Sequence, residues 1–193
     1  MMRNMRLQVL MILFLGIFCL FGGCTQDATH TIEAPPDGGI SEITPYSADQ
    51  RSNFEEARAE LELANARGLL NTDNMTIHHI NGVNVDINGS AESWVLGVAR
   101  GDNFSLLIFN SRNGWREEPW PFPLEEQALL LDLILSPTDL YAHQQDLIMR
   151  EMIAQNVSAS DLELNENSYT VLIRSSTNIS ILMFNAETGE LVS

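Results

Sequence analysis

The chain of 193 residues contains no lysine, and that shortage alone removes the Walker-type phosphate cradle, whose ammonium group reaches the terminal phosphates. The Gly-x-Gly-x-x-Gly spacing of dinucleotide loops is missing too, as is the Gly-x-Ser-x-Gly elbow that exposes a nucleophilic serine. Basic residues are scarce. Ten arginines stand against 26 acidic residues, for a formal net charge of −16. A field of that sign repels phosphates and no basic patch opposes it, so a nucleic acid partner is not expected. Cysteine occurs at Cys19 and Cys24 alone. The four histidines (His30, His78, His79 and His143) complete neither a His-Glu-x-x-His pair nor a closed Cys/His set. No cofactor and no metal ion are expected.

The remaining candidates for chemistry are weak on the same physical grounds. His78 and His79 are adjacent, and neighbours on a strand point to opposite faces, so one ion cannot collect both without a bulge. Asp86–Glu92 has some features of a calcium loop but lacks the third oxygen ligand before its glycine and the bidentate glutamate that closes such loops. Asp86, Asn88 and Gly89 suit a plain turn. Paired carboxylates could run glycoside hydrolysis, yet with 26 acidic residues some fall close together by number alone. The expectation is a non-enzymatic protein with no catalytic residues. An envelope hydrolase using paired carboxylates is the alternative from the enzyme class.

What the chain does have begins with Arg3 and Arg6, the only basic residues ahead of Arg51. They open a tripartite leader: a basic tip, the apolar run Leu7–Phe21, and Gly22-Gly23-Cys24. The run is shorter than the about 20 apolar residues that cross roughly 30 Å of hydrocarbon. The small-small-Cys ending resembles a lipoprotein signal, with Phe21 and Leu20 standing where that pattern prefers leucine. The resemblance implies a signal peptide over 1–23, cleavage before Cys24 and lipidation of its thiol. An uncleaved N-terminal helix is the alternative anchor. With Cys19 lost, one cysteine and no disulfide remain, and the net charge deepens from −16 to −18 as Arg3 and Arg6 leave. Either anchor places the body at the cell membrane, facing the extracytoplasmic side. So acidic a body would be repelled by an anionic leaflet, so attachment comes from Cys24 or the leader and not from charge.

Residues 24–49 read as a flexible acidic tether, broken by Pro35-Pro36, Asp37-Gly38-Gly39 and Pro45 and poor in large apolar groups. An amphipathic helix follows. Phe54, Ala57, Leu61 and Ala64 share one side, Ser47 or Asp49 is placed to cap it, and Gly68 to stop it. Met75–Ile87 reads as two extended runs about an Asn81-Gly82 hairpin turn, and Ser93–Asn110 as a second hairpin about Gly101-Asp102-Asn103.

The second half repeats the plan. Aligned without a gap, Ser93–Gly114 and Ser168–Gly189 share Ser93/Ser168, Asn103/Asn178, Ser105/Ser180, Phe109/Phe184, Asn110/Asn185 and Gly114/Gly189. Ser136-Pro137-Thr138-Asp139 starts another helix, whose Leu140, Leu147, Ile148 and Met152 form an apolar side up to Ala154. The fold class is therefore α+β, with amphipathic helices on antiparallel sheet in two related helix-plus-meander units, 50–123 and 124–193.

Between them lies Gly114–Leu135. Trp115, Trp120 and Phe122 sit among Pro119, Pro121 and Pro123, which hold the chain extended. These three aromatics are a candidate binding surface for an extended peptide or a glycan. The competing reading is a strap that crosses the open side of the first sheet and buries its tryptophans. Trp94, inside a strand, belongs to the core. Asn74, Asn88, Asn103, Asn156 and Asn178 head Asn-x-Ser/Thr triplets and are candidate glycosylation sites, mostly at turns.

Asn185-Ala186-Glu187-Thr188-Gly189-Glu190, closing a helix-plus-meander unit, is similar to the final hairpin of PepSY and cystatin-like extracytoplasmic domains. That family resemblance implies inhibition or protein contacts and no catalysis. The leader, acidic body, abundant asparagine and tryptophan-rich middle together resemble extracytoplasmic lipoproteins of methanogenic archaea. The function expected is a membrane-anchored lipoprotein with an interaction or envelope-associated role, its partner an envelope protein or glycan. A solute- or glycan-binding component is the further alternative.

Overall fold

The computed structural model describes residues 51–124 and 127–192. The expected signal peptide 1–23, the lipidation site Cys24 and the tether 24–49 lie outside the described residues.

Helix α1 spans Phe54–Ala66, and its start is built by a residue other than those expected. Asn53 Oδ1 accepts from the Glu56 N–H at 2.8 Å, and the Glu56 carboxylate accepts from the Asn53 N–H at 3.1 Å. That reciprocal pair satisfies two orphan donors of the first turn. Phe54, Ala57 and Leu61 are buried as their spacing requires. At the far end Gly68, at φ 70°, lets its own N–H reach the Asn65 carbonyl and that of Leu69 reach Ala64. This closes the helix in a left-handed cap.

Seven strands follow: β1 Thr76–Val85, β2 Ser93–Arg100, β3 Asn103–Asn110, β4 Gly114–Trp120, β5 Ser160–Asn165, β6 Ser168–Arg174 and β7 Ile179–Asn185. They form one sheet in the order β4-β3-β2-β1-β5-β6-β7, with every neighbour antiparallel. β1 is the middle strand. The Asn81-Gly82 hairpin is therefore corrected: β1 runs straight through it, paired to Val95 and Trp94 on one side and Glu163 and Leu162 on the other. Gly82 is there for space and not for a turn, since a Cβ at that position would lie 2.7 Å from the Trp94 ring. The turn comes later, where the Asp86 carboxylate accepts from the N–H groups of Asn88 and Ser90.

The second helix begins as its sequence demands. Ser136 Oγ accepts from the Asp139 N–H at 3.1 Å, and Pro137 opens the first turn. It then breaks at Gln144 (φ −109°, ψ 16°) into α2, Pro137–His143, and α3, Gln145–Ala154. The break lets Leu140 and Tyr141 of α2 and Ile148 and Met152 of α3 all reach the core. Among the described residues of Leu124–Leu135 the one regular element is a 3-10 turn at Leu131–Leu133. Beyond it the Leu135 N–H donates to the Ala186 carbonyl, and Tyr169 Oη donates to the Leu135 carbonyl at 2.7 Å.

The helices, with Leu131 and Ile134 at the end of the connecting segment, cover one face of the sheet. Trp94, Leu96, Leu107, Leu162, Leu164, Tyr169 and Phe184 are fully buried there, in one cluster that draws on both halves of the chain. The β2–β3 and β6–β7 hairpins share a register. Trp94 pairs with Phe109, and Tyr169 with Phe184. After each hairpin an asparagine side chain accepts a bond two residues on, Asn110 from the Arg112 N–H and Asn185 from the Glu187 N–H. A left-handed glycine then follows, Gly114 at φ 69° and Gly189 at φ 71°.

Candidate functional site

An antiparallel sheet with one solvated face ordinarily alternates apolar-in and polar-out. Three strands here do not. β3 turns Ser105, Leu107 and Phe109 toward the helices, yet Phe104, Leu106 and Ile108 point the other way and are only half-covered. β2 adds Val95 to that open face. β7 adds Ile179, Ile181 and Met183, which are 56%, 60% and 44% exposed. Apolar side chains on both faces of a strand are the mark of burial on both sides.

The aromatic trio is divided by this sheet. Trp115 lies on the helix side, its Nε1–H donating to the Ala57 carbonyl at 2.8 Å and its ring 5.1 Å from that of Phe109. Trp120 pairs with Phe104 and lies on the open side, edge-on to Phe122 at 5.6 Å. Phe122 is 49% exposed. Positions 115 and 120 differ by an odd number, so a strand must send them to opposite faces, and parity alone could have separated them. The chain after Phe122 folds over the open side. Leu124 rests on Gly97, where a Cβ would come within 3.2 Å of it. The Leu129 N–H then donates to the Ile77 carbonyl at 2.7 Å. The strap thus covers one end of the open face and leaves Trp120 and Phe122 at its border.

Polar groups hold the middle of this face. His79 Nδ1 meets the Asn165 side chain and lies 3.9 Å from Glu163. His78 bonds instead to Thr76 Oγ1 at 2.9 Å, the strand register slipping between Ile77 and His79. The two imidazoles thus serve different partners, and no group of three metal-ligating side chains occurs among the described residues. On the open face Arg116 pairs with Glu118 at 3.4 Å and Arg174 with Asp161 at 3.6 Å, while Glu163 accepts from the Asn165 side chain at 2.6 Å. The outward side of α1, by contrast, carries Glu55, Glu56, Glu60 and Glu62, all exposed.

Elsewhere ionisable groups serve the fold. Burial alone would push the Glu117 carboxyl up, but hydrogen bonds from Ser105 and Arg100, with the Arg100 charge, outweigh it and hold the group below its ordinary value. The Arg100–Glu117 contact is 2.6 Å. Burial pushes both the Tyr141 and Tyr169 phenols up, so they remain neutral. Tyr141 Oη shares a 2.7 Å hydrogen bond with Ser160 Oγ. A shallow concavity of about 350 Å³ at the α2–α3 corner includes His143, Asp146 and Arg150, and a small one of about 40 Å³ beside α1 includes Glu55 and Arg58. Each holds a single carboxylate. All five triplet asparagines are exposed, Asn74, Asn88 and Asn156 in turns, Asn103 at the start of β3 and Asn178 just before β7. None interrupts the open face.

No protein-family model and no curated protein matches the sequence. Among solved structures the chain is similar to a candidate lipoprotein from Clostridium difficile 630, at 12% identity and a TM-score of 0.48. That match covers 76% of this chain and 94% of the other. At such a level neither fold nor role transfers from it.

Proposed function

We propose that this chain is an exported, lipid-anchored domain of the cell envelope that acts by binding through the open face of its sheet and catalyses no reaction. The observation that carries the binding role is that face itself. Phe104, Leu106, Ile108, Ile179, Ile181 and Met183 stand on the side away from the helices, and two of the three carboxylates there are paired to arginine. Interface cores are poor in net charge and rich in such groups. The anchor is supported by sequence: a basic tip, a short apolar run and Gly22-Gly23-Cys24. The tether then sets the domain off the bilayer. Glycans on Asn74, Asn88, Asn103, Asn156 or Asn178 would leave the face clear.

The two halves are copies of one helix-plus-meander unit in this reading. The matched Trp94–Phe109 and Tyr169–Phe184 pairs and the two asparagine-to-glycine turns support it. Kinship with PepSY and cystatin-like domains rests on the Asn185–Glu190 turn.

Intact mass of the native protein tests the anchor. A membrane-bound chain that starts at Cys24 and carries the added mass of hydrocarbon is expected. A cytosolic chain of 193 residues without lipid would end the proposal. One feature favours a glycan as the second reading: the exposed Phe122 ring, braced edge-on by Trp120, is a stacking platform for a sugar. Quenching of tryptophan fluorescence by envelope glycans would support it, and flat titrations would count against it.

A further inference from the structure

We infer that the outer edge of β7 takes up an extended segment of a partner protein as an added strand, one whose residues alternate aliphatic and basic. The inference deepens the binding role read from the open face and rests on it for the aliphatic half of the contact. β7 ends the sheet, with β6 as its one neighbour there. The chain itself shows which backbone groups look outward. The Val192 N–H donates to the Met183 carbonyl at 2.7 Å, and the Asn185 N–H to the Glu190 carbonyl at 2.8 Å. Outward groups recur at every second residue of an antiparallel strand, so the next are those of Ile181 and Ile179. Among the described residues no backbone group pairs with them from outside. The opposite edge is built differently. β4 carries Arg116, Glu117 and Glu118 and then Pro119, which has no N–H to offer. Charge and proline are the usual protection of an exposed edge, and β7 has neither.

The side chains along that edge define the segment. Residues directly opposite one another in an antiparallel pair place their side chains on the same face. Those set against Ile179 and Ile181 therefore come beside two aliphatic groups that are each more than half exposed, with Leu172 behind Ile181. The residue between them is set against Ser180 and turns to the helix side. There the Glu151 carboxylate, on α3, has only loose partners: Ser180 Oγ at 3.4 Å and Arg150 Nε at 3.6 Å. A lysine or arginine in that position supplies a closer donor, and a net charge of −16 draws such a segment in. A second copy is a poor occupant. Paired antiparallel through Ile179 and Ile181, it would bring its own Ser180 and a second Glu151 to the same place, acid against acid.

The test follows amide hydrogen exchange by NMR in the full chain, labelled on isoleucine and held in a nonionic detergent. Alone, the Ile179 and Ile181 amides should exchange far faster than that of Ile173, which pairs with Ser180 inside the sheet. A peptide with valine, lysine and valine in succession, flanked by threonines, should slow both amides at least about tenfold. N-methylation of the two valine nitrogens should abolish the effect. N-methylation of the lysine nitrogen, which points away from β7, should not. Exchanging the lysine for norleucine should weaken binding about fivefold, and Glu151→Gln should remove most of that difference. Amides already protected without peptide, by a second copy or by more of this chain, overturn the inference. Equal binding of the lysine and norleucine peptides overturns its basic requirement. Binding that survives methylation of the valines also overturns strand addition, but contacts then found on the Ile181 and Leu172 side chains keep the open face as a binding surface. Fast amides that no peptide slows, with no contact on those side chains, remove strand addition and count against that surface as well.

Discussion

Replacing Gly82 by alanine should destabilise the fold, although alanine is normally the better strand residue. The new Cβ would lie 2.7 and 3.1 Å from two atoms of the Trp94 six-membered ring and 2.8 Å from Val85 Cγ2. Something must shift, and the ring has little freedom. Trp94 is fully buried, sits 5.2 Å edge-on to Phe54, and donates its Nε1–H to the Ser52 carbonyl at 3.0 Å. Overpacking of this kind costs about 1–3 kcal/mol. A weakened indole hydrogen bond adds about 1 kcal/mol, and relief of the glycine entropy returns about 0.5–1 kcal/mol. The net expectation is a loss of about 2 kcal/mol, or a melting temperature lower by roughly 6 °C. Denaturant titration followed by tryptophan fluorescence measures it. Trp94→Phe removes the colliding ring atoms and leaves the Val85 contact, so in that background Gly82→Ala should cost about 1 kcal/mol less than in the parent. If the alanine variant were as stable as the parent, or if the two substitutions were simply additive, Gly82 would not be there to seat Trp94.

Three further outcomes are expected. Asn53→Ala removes the side-chain half of the capping box, the bond accepted from the Glu56 N–H, and should lower stability by about 1 kcal/mol in the same titration; an unchanged midpoint would show that cap to be idle. Because the Glu117 carboxyl is held below its ordinary value of 4.5, its contribution is present above that pH and is lost as pH falls through the lowered folded value. Parent and Glu117→Gln should therefore differ in stability near neutrality and converge in acid, and a gap that widened in acid would contradict the assignment. Cys24→Ser should leave the protein uncleaved or released from the membrane fraction, as seen by fractionation and mass; normal processing and retention would exclude lipid at that thiol.

Local chemistry accounts for what was legible. Phe54, Ala57 and Leu61 at helical spacing, Ser136-Pro137 as a start signal, and Gly101-Asp102 between two apolar runs each act within a few residues, and each forms what its pattern requires. Asn81-Gly82 misled because glycine has two uses, a turn or a close approach, and only the position of Trp94 decides between them. The parity that splits Trp115 from Trp120 was readable; which of the two faces would be covered was not.

By itself, then, the amino-acid order determined the acidic character, the α1 face, the start of α2, the hairpin of β2 and β3, and an α+β class. Tertiary structure decided that β1 lies beside β5, His79 meeting Asn165 across a separation of 86 residues, and so made one seven-stranded sheet with a single core. It also decided that the helices lie on one side only, while Leu124 of the strap covers part of the other and leaves Ile181 exposed there. The physical reason is range. Caps, turns and periodicity are satisfied by neighbours in the chain, whereas which strands pair and which face is buried depend on groups far apart in sequence meeting at once.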